Sequence, residues 1–221
     1  MIRIIEKILD IIYPQTCSIC GKLNKNWLCN KCELKLKEEF NFQTDNYEED
    51  VSKNFLEHHY FFKYENVIRE LILALKFKEK PFVYKTIAYF LKKMQKSFEK
   101  LKNYDIIIVI AISKKRNKER GYNQSELIAK EISKMIQVLM TTKVIYKIKN
   151  TVPQSTLNKE QREENIKDVY KVKNIKRLQN KKILIIDDIY TTGNTVNECA
   201  KVLGQNGIDR RNISVLTIAK D

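Results

Sequence analysis

The chain has 221 residues, 43% of them apolar, and a formal charge of +15. That length fits one ordinary domain with a small appendage, and the apolar share is enough for a packed core. The positive surplus points to phosphate-bearing partners, either a polyanionic small molecule or nucleic acid; a Lys-rich surface of biased composition is the plain alternative. No signal peptide or bilayer-spanning run is visible, which argues against secretion or membrane integration and for the cytoplasm, where thiols stay reduced.

Residues 1–13 carry Ile4, Ile5, Ile8, Leu9 and Ile12 at helical spacing, interrupted by Glu6 and Asp10. The pattern predicts a short amphipathic helix lying on the protein, with a membrane-surface role as the alternative. Cys17-x-x-Cys20 and Cys29-x-x-Cys32 follow, with eight residues between the pairs. Two close thiol pairs converge on one tetrahedral Zn²⁺, and four thiolates close its shell, so the ion would be structural. A redox pair or disulfides are the competing reading, disfavoured by the compartment and by the duplicated spacing. Gly21 permits a tight turn, Asn24 and Asn26 suit the connection, and Trp27 and Leu28 offer apolar filling. Trp27 is read as packing this knuckle and not as stacking on a base.

Residues 33–50 are charged and read as the end of a helix from the second pair, then a connection. His58 and His59 are read as ordinary surface or strand residues. Residues 60–64 predict a strand and 65–77 a helix with Val67, Ile68, Leu71, Ile72 and Leu75 inward. Lys76 and Lys78 are read as a solvated face in preference to anion contacts. Pro81 opens a longer predicted helix to about residue 101. Residues 105–112 predict a buried strand, and the loop after it is strongly basic. Between Leu91 and Arg120 there are ten basic residues against three acidic ones. A basic loop at the C-terminal end of a sheet strand suits anion binding. A helix over 123–137 and a strand over 143–148 follow. Residues 150–170 have little hydrophobic periodicity, which marks a functional loop or lid, with 169–172 as its returning edge strand.

Ile183, Leu184, Ile185 and Ile186 predict a short buried strand, with Asp187 and Asp188 at its C-terminal end. Thr191, Thr192, Gly193, Asn194 and Thr195 then lead into a helix over 196–203, stopped by Gly204 and Gly207. A strand, a polar turn and a helix N-terminus make an anion site, because the first helical N–H groups have no internal partners. The two carboxylates would repel bare phosphate but suit a ligand with hydroxyls beside its phosphate, such as a ribose 5-phosphate. A strand ending in helix-capping acids is the bland reading. Residues 213–218 predict the last strand, and Cys199 a buried small residue.

Residues 183–195 resemble the phosphoribosyl pyrophosphate (PRPP) signature of type I phosphoribosyltransferases, with Tyr190 standing where an aliphatic residue is usual. Nearly the whole chain resembles the ComF family. The carrying residues are the four cysteines, then Arg120-Gly121-Tyr122-Asn123-Gln124, then Thr151-x-Pro153-Gln154-x-x-Leu157 with Arg162 and Asn165, then 183–195. Ala111 stands where members usually have proline. The resemblance implies an α/β type I phosphoribosyltransferase fold, a mostly parallel sheet flanked by helices, over residues 46–221. A helix and zinc-binding module would occupy 1–45.

It further implies PRPP with Mg²⁺ as ligand. Thr191, Thr192, Gly193, Asn194 and Thr195 would hold the 5-phosphate, and Asp187 and Asp188 the ribose hydroxyls. Ser113, Lys114, Lys115 and Arg116 would face pyrophosphate. Asp187, Asp188 and Arg162 are the expected catalytic residues, acting by position and charge. The family's link to natural competence implies single-stranded DNA and other competence proteins at the inner face of the membrane as further partners. The competing reading is a DNA-binding accessory protein whose PRPP site is regulatory or vestigial. The acceptor of any transferred phosphoribosyl group has no readable code.

Overall fold

The computed structural model describes residues 16–77, 82–113, 117–118, 121–149 and 165–221. The expected N-terminal helix, Lys78, Pro81, Lys114, Lys115, Arg116, Arg120, Thr151, Pro153, Gln154, Leu157 and Arg162 lie outside these residues.

Helix α1 (Asn30–Glu39) starts directly after Cys29 and buries Cys32 and Leu36. Strand β1 (Phe40–Asn46) follows without a loop and pairs antiparallel with β2 (Glu57–Lys63). This corrects the expected connection over the end of 33–50. Phe40, Phe42 and Thr44 alternate with polar residues, and that period of two puts their side chains on the less exposed side of an edge strand. Helix α2 (Asn66–Phe77) is amphipathic, and its first N–H groups, on Val67 and Ile68, donate to the Glu39 carboxylate at 3.1 and 3.2 Å. Helix α3 (Val83–Met94) turns into a 3-10 run over Gln95–Asn103, broken at Phe98, where one continuous helix was expected. Buried Phe98 and Leu101 pin that run to the core.

Strand β3 (Ile106–Val109), helix α4 (Gln124–Ile136) and strand β4 (Leu139–Thr141) form a crossover unit in which β3 and β4 run parallel. The three-residue β4 had no separate signal in the sequence. Strands β5 (Ile145–Lys147) and β6 (Tyr170–Val172) make a separate antiparallel pair. Strand β7 (Ile183–Tyr190), helix α5 (Asn194–Gln205) and strand β8 (Ile213–Lys220) form a second parallel unit.

The central sheet has six strands in the order β1-β2-β8-β7-β3-β4, all neighbours parallel except β1 and β2. Alternate residues of the same strands face two cores. Ile107, Val109, Leu184, Ile186, Leu216 and Ile218 pack with α1, α2, α3, α4 and the cysteine module. Ile108, Ile110, Ile183, Ile185, Ile213 and Val215 pack with α5 and the β5–β6 pair. A sheet covered on both faces needs strands that are apolar throughout, which is why β3 and β7 read as unbroken aliphatic runs. Ile183, Leu184, Ile185 and Ile186 are all 0% exposed, and each such burial stabilises by about 1.5–3 kcal/mol. The expected α/β class with a mostly parallel, helix-flanked sheet is the observed one.

Candidate functional site

Two groups of residues carry chemistry. The first is the N-terminal knuckle. Gly21 adopts φ +74, which lets its N–H return to the Cys17 carbonyl at 2.8 Å, and Cys17 N–H donates to Lys22 O at 2.8 Å. Asn24 Nδ2 closes the connecting turn on the carbonyls of Asn26 and Leu28. The four Sγ atoms of Cys17, Cys20, Cys29 and Cys32 lie within 4.8 Å of one another, and Cys20 Sγ is 3.7 Å from Cys29 Sγ. A tetrahedral ion with Zn–S bonds of about 2.3 Å separates its sulfurs by about 3.8 Å, so the set fits Zn²⁺. Burial pushes the Cys17 thiol up, but the N–H groups of Cys20, Cys29 and Ile19 outweigh it and bring the thiol down to about 6. Burial and the neighbouring thiols raise Cys32. A cation would take both as thiolates.

Leu28, 1% exposed, is the knuckle's apolar filling, while Trp27 stays partly exposed beneath the Lys85 ammonium, 4.9 Å from the ring centroid. The module docks on α3. Thr86 Oγ1 donates to Ser18 Oγ at 2.7 Å, and Lys93 Nζ pairs with Glu33 at 2.6 Å. Cys17, Leu28, Cys32 and Leu36 belong to the same apolar cluster as the sheet.

The second group lies at the C-terminal ends of β3 and β7. These neighbours send their crossovers in opposite directions, β3 through α4 to β4 and β7 through α5 to β8. Chain departure to both sides leaves a crevice between them, the usual ligand position in an open α/β sheet. The β3–β7 pairing stops at Val109 and Ile186, yet β7 continues with β8 to the Tyr190–Lys220 pair. Asp187 and Asp188 therefore sit on β7 itself, where its β3 side has opened. This extends the strand beyond its expected end at Ile186.

Asp188 is nearly buried, and Lys76 Nζ of α2 lies 2.9 Å from its Oδ1. Asp187 Oδ1 accepts from Ser125 Oγ of α4 at 3.0 Å and from the Asp188 N–H at 2.9 Å. Burial and the adjacent Asp188 charge hold the Asp187 carboxyl above the usual carboxylate range, against the pull of Lys76 and these hydrogen bonds. Lys76 was read as solvated; it faces the acidic pair instead, and no local sequence signal marks it. Helix α5 begins at Asn194, two residues before the expected Val196, so Asn194 and Thr195 form its first turn. Gly193 precedes it at φ +74 without a side-chain cap.

Tyr190 fills the space under this turn. Its ring stacks on His58 at 4.1 Å, and a Cβ at Gly193 would come within 2.3 Å of the ring. His58 and His59 are strand residues, 0% and 1% exposed, so their surface alternative is excluded. His58 Nε2 contacts Thr217 Oγ1 at 2.8 Å, and His59 lies between Thr44 Oγ1 at 2.8 Å and Tyr104 Oη at 2.6 Å.

Of the basic loop, Ser113 is described and buried, and its carbonyl accepts from the Asn117 N–H at 2.9 Å. Residues 121–125 join three elements. Tyr122 Oη donates to the Leu75 carbonyl of α2 at 2.9 Å, Asn123 Nδ2 to the Ile110 carbonyl after β3 at 3.0 Å, and Ser125 reaches Asp187. Thus Ser113, Asp187, Asp188 and the 191–195 turn are all borne on loops and strand ends at one end of the sheet, as the crossovers require. Among the described residues, the only group of cysteines, histidines and acids close enough to hold a metal is the knuckle.

No family model matches the chain. It is similar to "Competence protein F" of Haemophilus influenzae, 27% identical over 143 residues, which is 63% of this chain and 62% of that protein. It is also similar to "DNA utilization protein YhgH" of Shigella flexneri, 30% identical over 103 residues, and of Escherichia coli strain K12, 29% identical over the same length. The matches span 47% of this chain and 44% of the YhgH proteins, so less than two thirds of each relative's length is covered. Taken with the ordered cysteine pairs and the 120–124 and 183–195 motifs, these relatives support the resemblance to the ComF family.

Proposed function

We propose that the protein is a PRPP-binding, phosphoribosyltransferase-like member of the DNA-uptake machinery, with a type I phosphoribosyltransferase fold over residues 46–221 and a structural zinc module over 1–45. The observation that carries this reading is the crevice where β3 and β7 diverge. It joins a carboxylate pair to a glycine turn at a helix N-terminus. A bare-phosphate site gains nothing from two carboxylates, whereas a phosphorylated sugar presents hydroxyls to them and phosphate to the N-terminal end of α5.

In this reading Thr191, Thr192, Gly193, Asn194 and Thr195 cradle the 5-phosphate. Asp187 and Asp188 accept hydrogen bonds from the ribose 2- and 3-hydroxyls and favour positive charge developing on the ring. Ser113, Lys114, Lys115 and Arg116 would face the pyrophosphate, and Arg162 would add positive charge. When bound with PRPP, Mg²⁺ would neutralise the departing pyrophosphate. Catalysis then needs no protein nucleophile, only position, charge and exclusion of water. Reduced thiols at the knuckle suit the cytoplasm.

Calorimetric titration of PRPP with Mg²⁺ tests the reading. Wild type is expected to bind, and the Asp187→Asn, Asp188→Asn double variant to lose about a hundredfold, for two charge-assisted hydrogen bonds. No heat from wild type removes it. The names of the relatives favour a second reading, contact with single-stranded DNA through the basic surface, with other competence proteins as partners. Binding should then weaken steeply from low to high salt; no binding, or a flat salt response, excludes it.

A further inference from the structure

We infer that Lys76 belongs to the ligand site: it neutralises Asp188 while the crevice is empty and turns to the ligand's phosphate-bearing side when sugar hydroxyls take its place. This rests on the PRPP reading and adds a residue and an exchange step to it.

The two carboxylates are not equivalent. Asp187 Oδ1 already accepts from Ser125 Oγ and from the N–H of Asp188. Among the described residues, Lys76 is the sole hydrogen-bond or ion-pair partner of the Asp188 carboxylate. The contact is 2.9 Å, with side-chain exposures of 21% for Lys76 and 11% for Asp188. The pair is thus shielded enough to matter and open enough to exchange. An ammonium on a four-carbon stem is suited to that exchange, because it pivots without moving its helix.

The helix itself is held. Leu71, Ile72 and Leu75 are in the core, and the Tyr122 hydroxyl bonds the Leu75 carbonyl, one residue before Lys76. Tyr122 precedes Asn123 and Ser125, which tie the same loop to the end of β3 and to Asp187. The point from which Lys76 swings is therefore fixed relative to the carboxylates. Charge supplies the need. A polyphosphorylated sugar approaching two carboxylates would meet only like charge at that wall of the crevice, and Lys76 is the described cation in contact with it.

The test is a set of titrations on the full chain with PRPP plus Mg²⁺, inorganic pyrophosphate and ribose 5-phosphate, using wild type, Lys76→Met and Lys76→Arg. Lys76→Met should weaken PRPP and pyrophosphate at least about tenfold, as loss of a charge-assisted contact does, and ribose 5-phosphate less. Lys76→Arg should recover most of the loss. If Lys76→Met fails to fold, as judged by melting and zinc content, Lys76→Gln gives the same readout, since it keeps a donor for Asp188 without the charge. Unchanged or tighter binding in the neutral variants overturns the inference and leaves the PRPP reading standing. Absence of PRPP binding by wild type removes both.

Discussion

The knuckle and the crevice are built on opposite principles. The knuckle draws all four sulfurs from sixteen consecutive residues, Cys17 to Cys32, with local turns fixing their positions. The crevice gathers Lys76, Ser125 and Asp188 from three elements, and nothing near Lys76 in the chain points to Asp188. A local site needs its cation to close it, whereas a non-local site is closed by the sheet. Metal should therefore dominate the stability of the first region and backbone shape that of the second.

The largest expected effect is at the knuckle. Its metal should be present at about one per chain, and Cys32→Ser should abolish it, because structural zinc is worth about 10–16 kcal/mol of local folding free energy. Cys32 and Leu36 share the main apolar cluster, so the melting temperature of the whole protein should fall with it. Elemental analysis with thermal melting checks this; metal well under one per chain, or an unchanged melt, breaks the contrast.

Next comes Gly193→Ala. A side chain at φ +74 costs about 1–2 kcal/mol, and a Cβ within 2.3 Å of the Tyr190 ring forces overpacking worth about 1–3 kcal/mol more. Urea melts should show a loss of about 2–5 kcal/mol, with zinc content unchanged. A loss under about 1 kcal/mol would mean that the turn is not held by Tyr190 and His58.

The smallest effect is graded with pH. Burial, helped by Lys220 and Lys100 respectively, holds His58 and His59 down to about 3, against about 6.5 when unfolded. Between those values the unfolded chain binds more protons, so stability present above pH 6.5 is lost as the pH falls towards 3. Asp187 acts the other way. Its carboxyl is raised in the folded state, so folding gains stability as the pH falls through that raised value. Two histidines against one carboxyl leave about one proton, or roughly 1.4 kcal/mol per pH unit. Urea melts at pH 7 and pH 5 should differ by about 2 kcal/mol, and zinc content at each pH separates this from thiolate protonation. Equal stability with zinc retained would mean that the histidines are not buried neutral.

How much was legible follows the same division. Helix α4 fits its expectation almost to the residue, because Leu127, Ile128, Ile132 and Ile136 repeat at helical period between Asn123 and Gln137. Strand β1 carried a period-two signal in Phe40, Phe42 and Thr44, masked by charged flanks on both sides. Strand β4 is three residues long and exists because β3 offers it an edge, which no local pattern encodes. The histidines of β2 looked polar enough for the surface; in the sheet Thr44 and Tyr104 pair both His59 nitrogens and Thr217 pairs His58 Nε2.

By itself the sequence determined the four-thiol knuckle, the aliphatic strands with helices between them, and the acidic-pair and glycine-turn motif. Each of these depends on near neighbours, through spacing, periodicity or a single strand-to-helix turn. Only the tertiary structure decided that β3 and β7 are neighbours whose crossovers diverge, that Lys76 lies on Asp188, and that Tyr190 and His58 stack beneath Gly193. Those facts depend on which strands pair and in what register, and pairing is settled by burying the two apolar faces of the sheet as a whole.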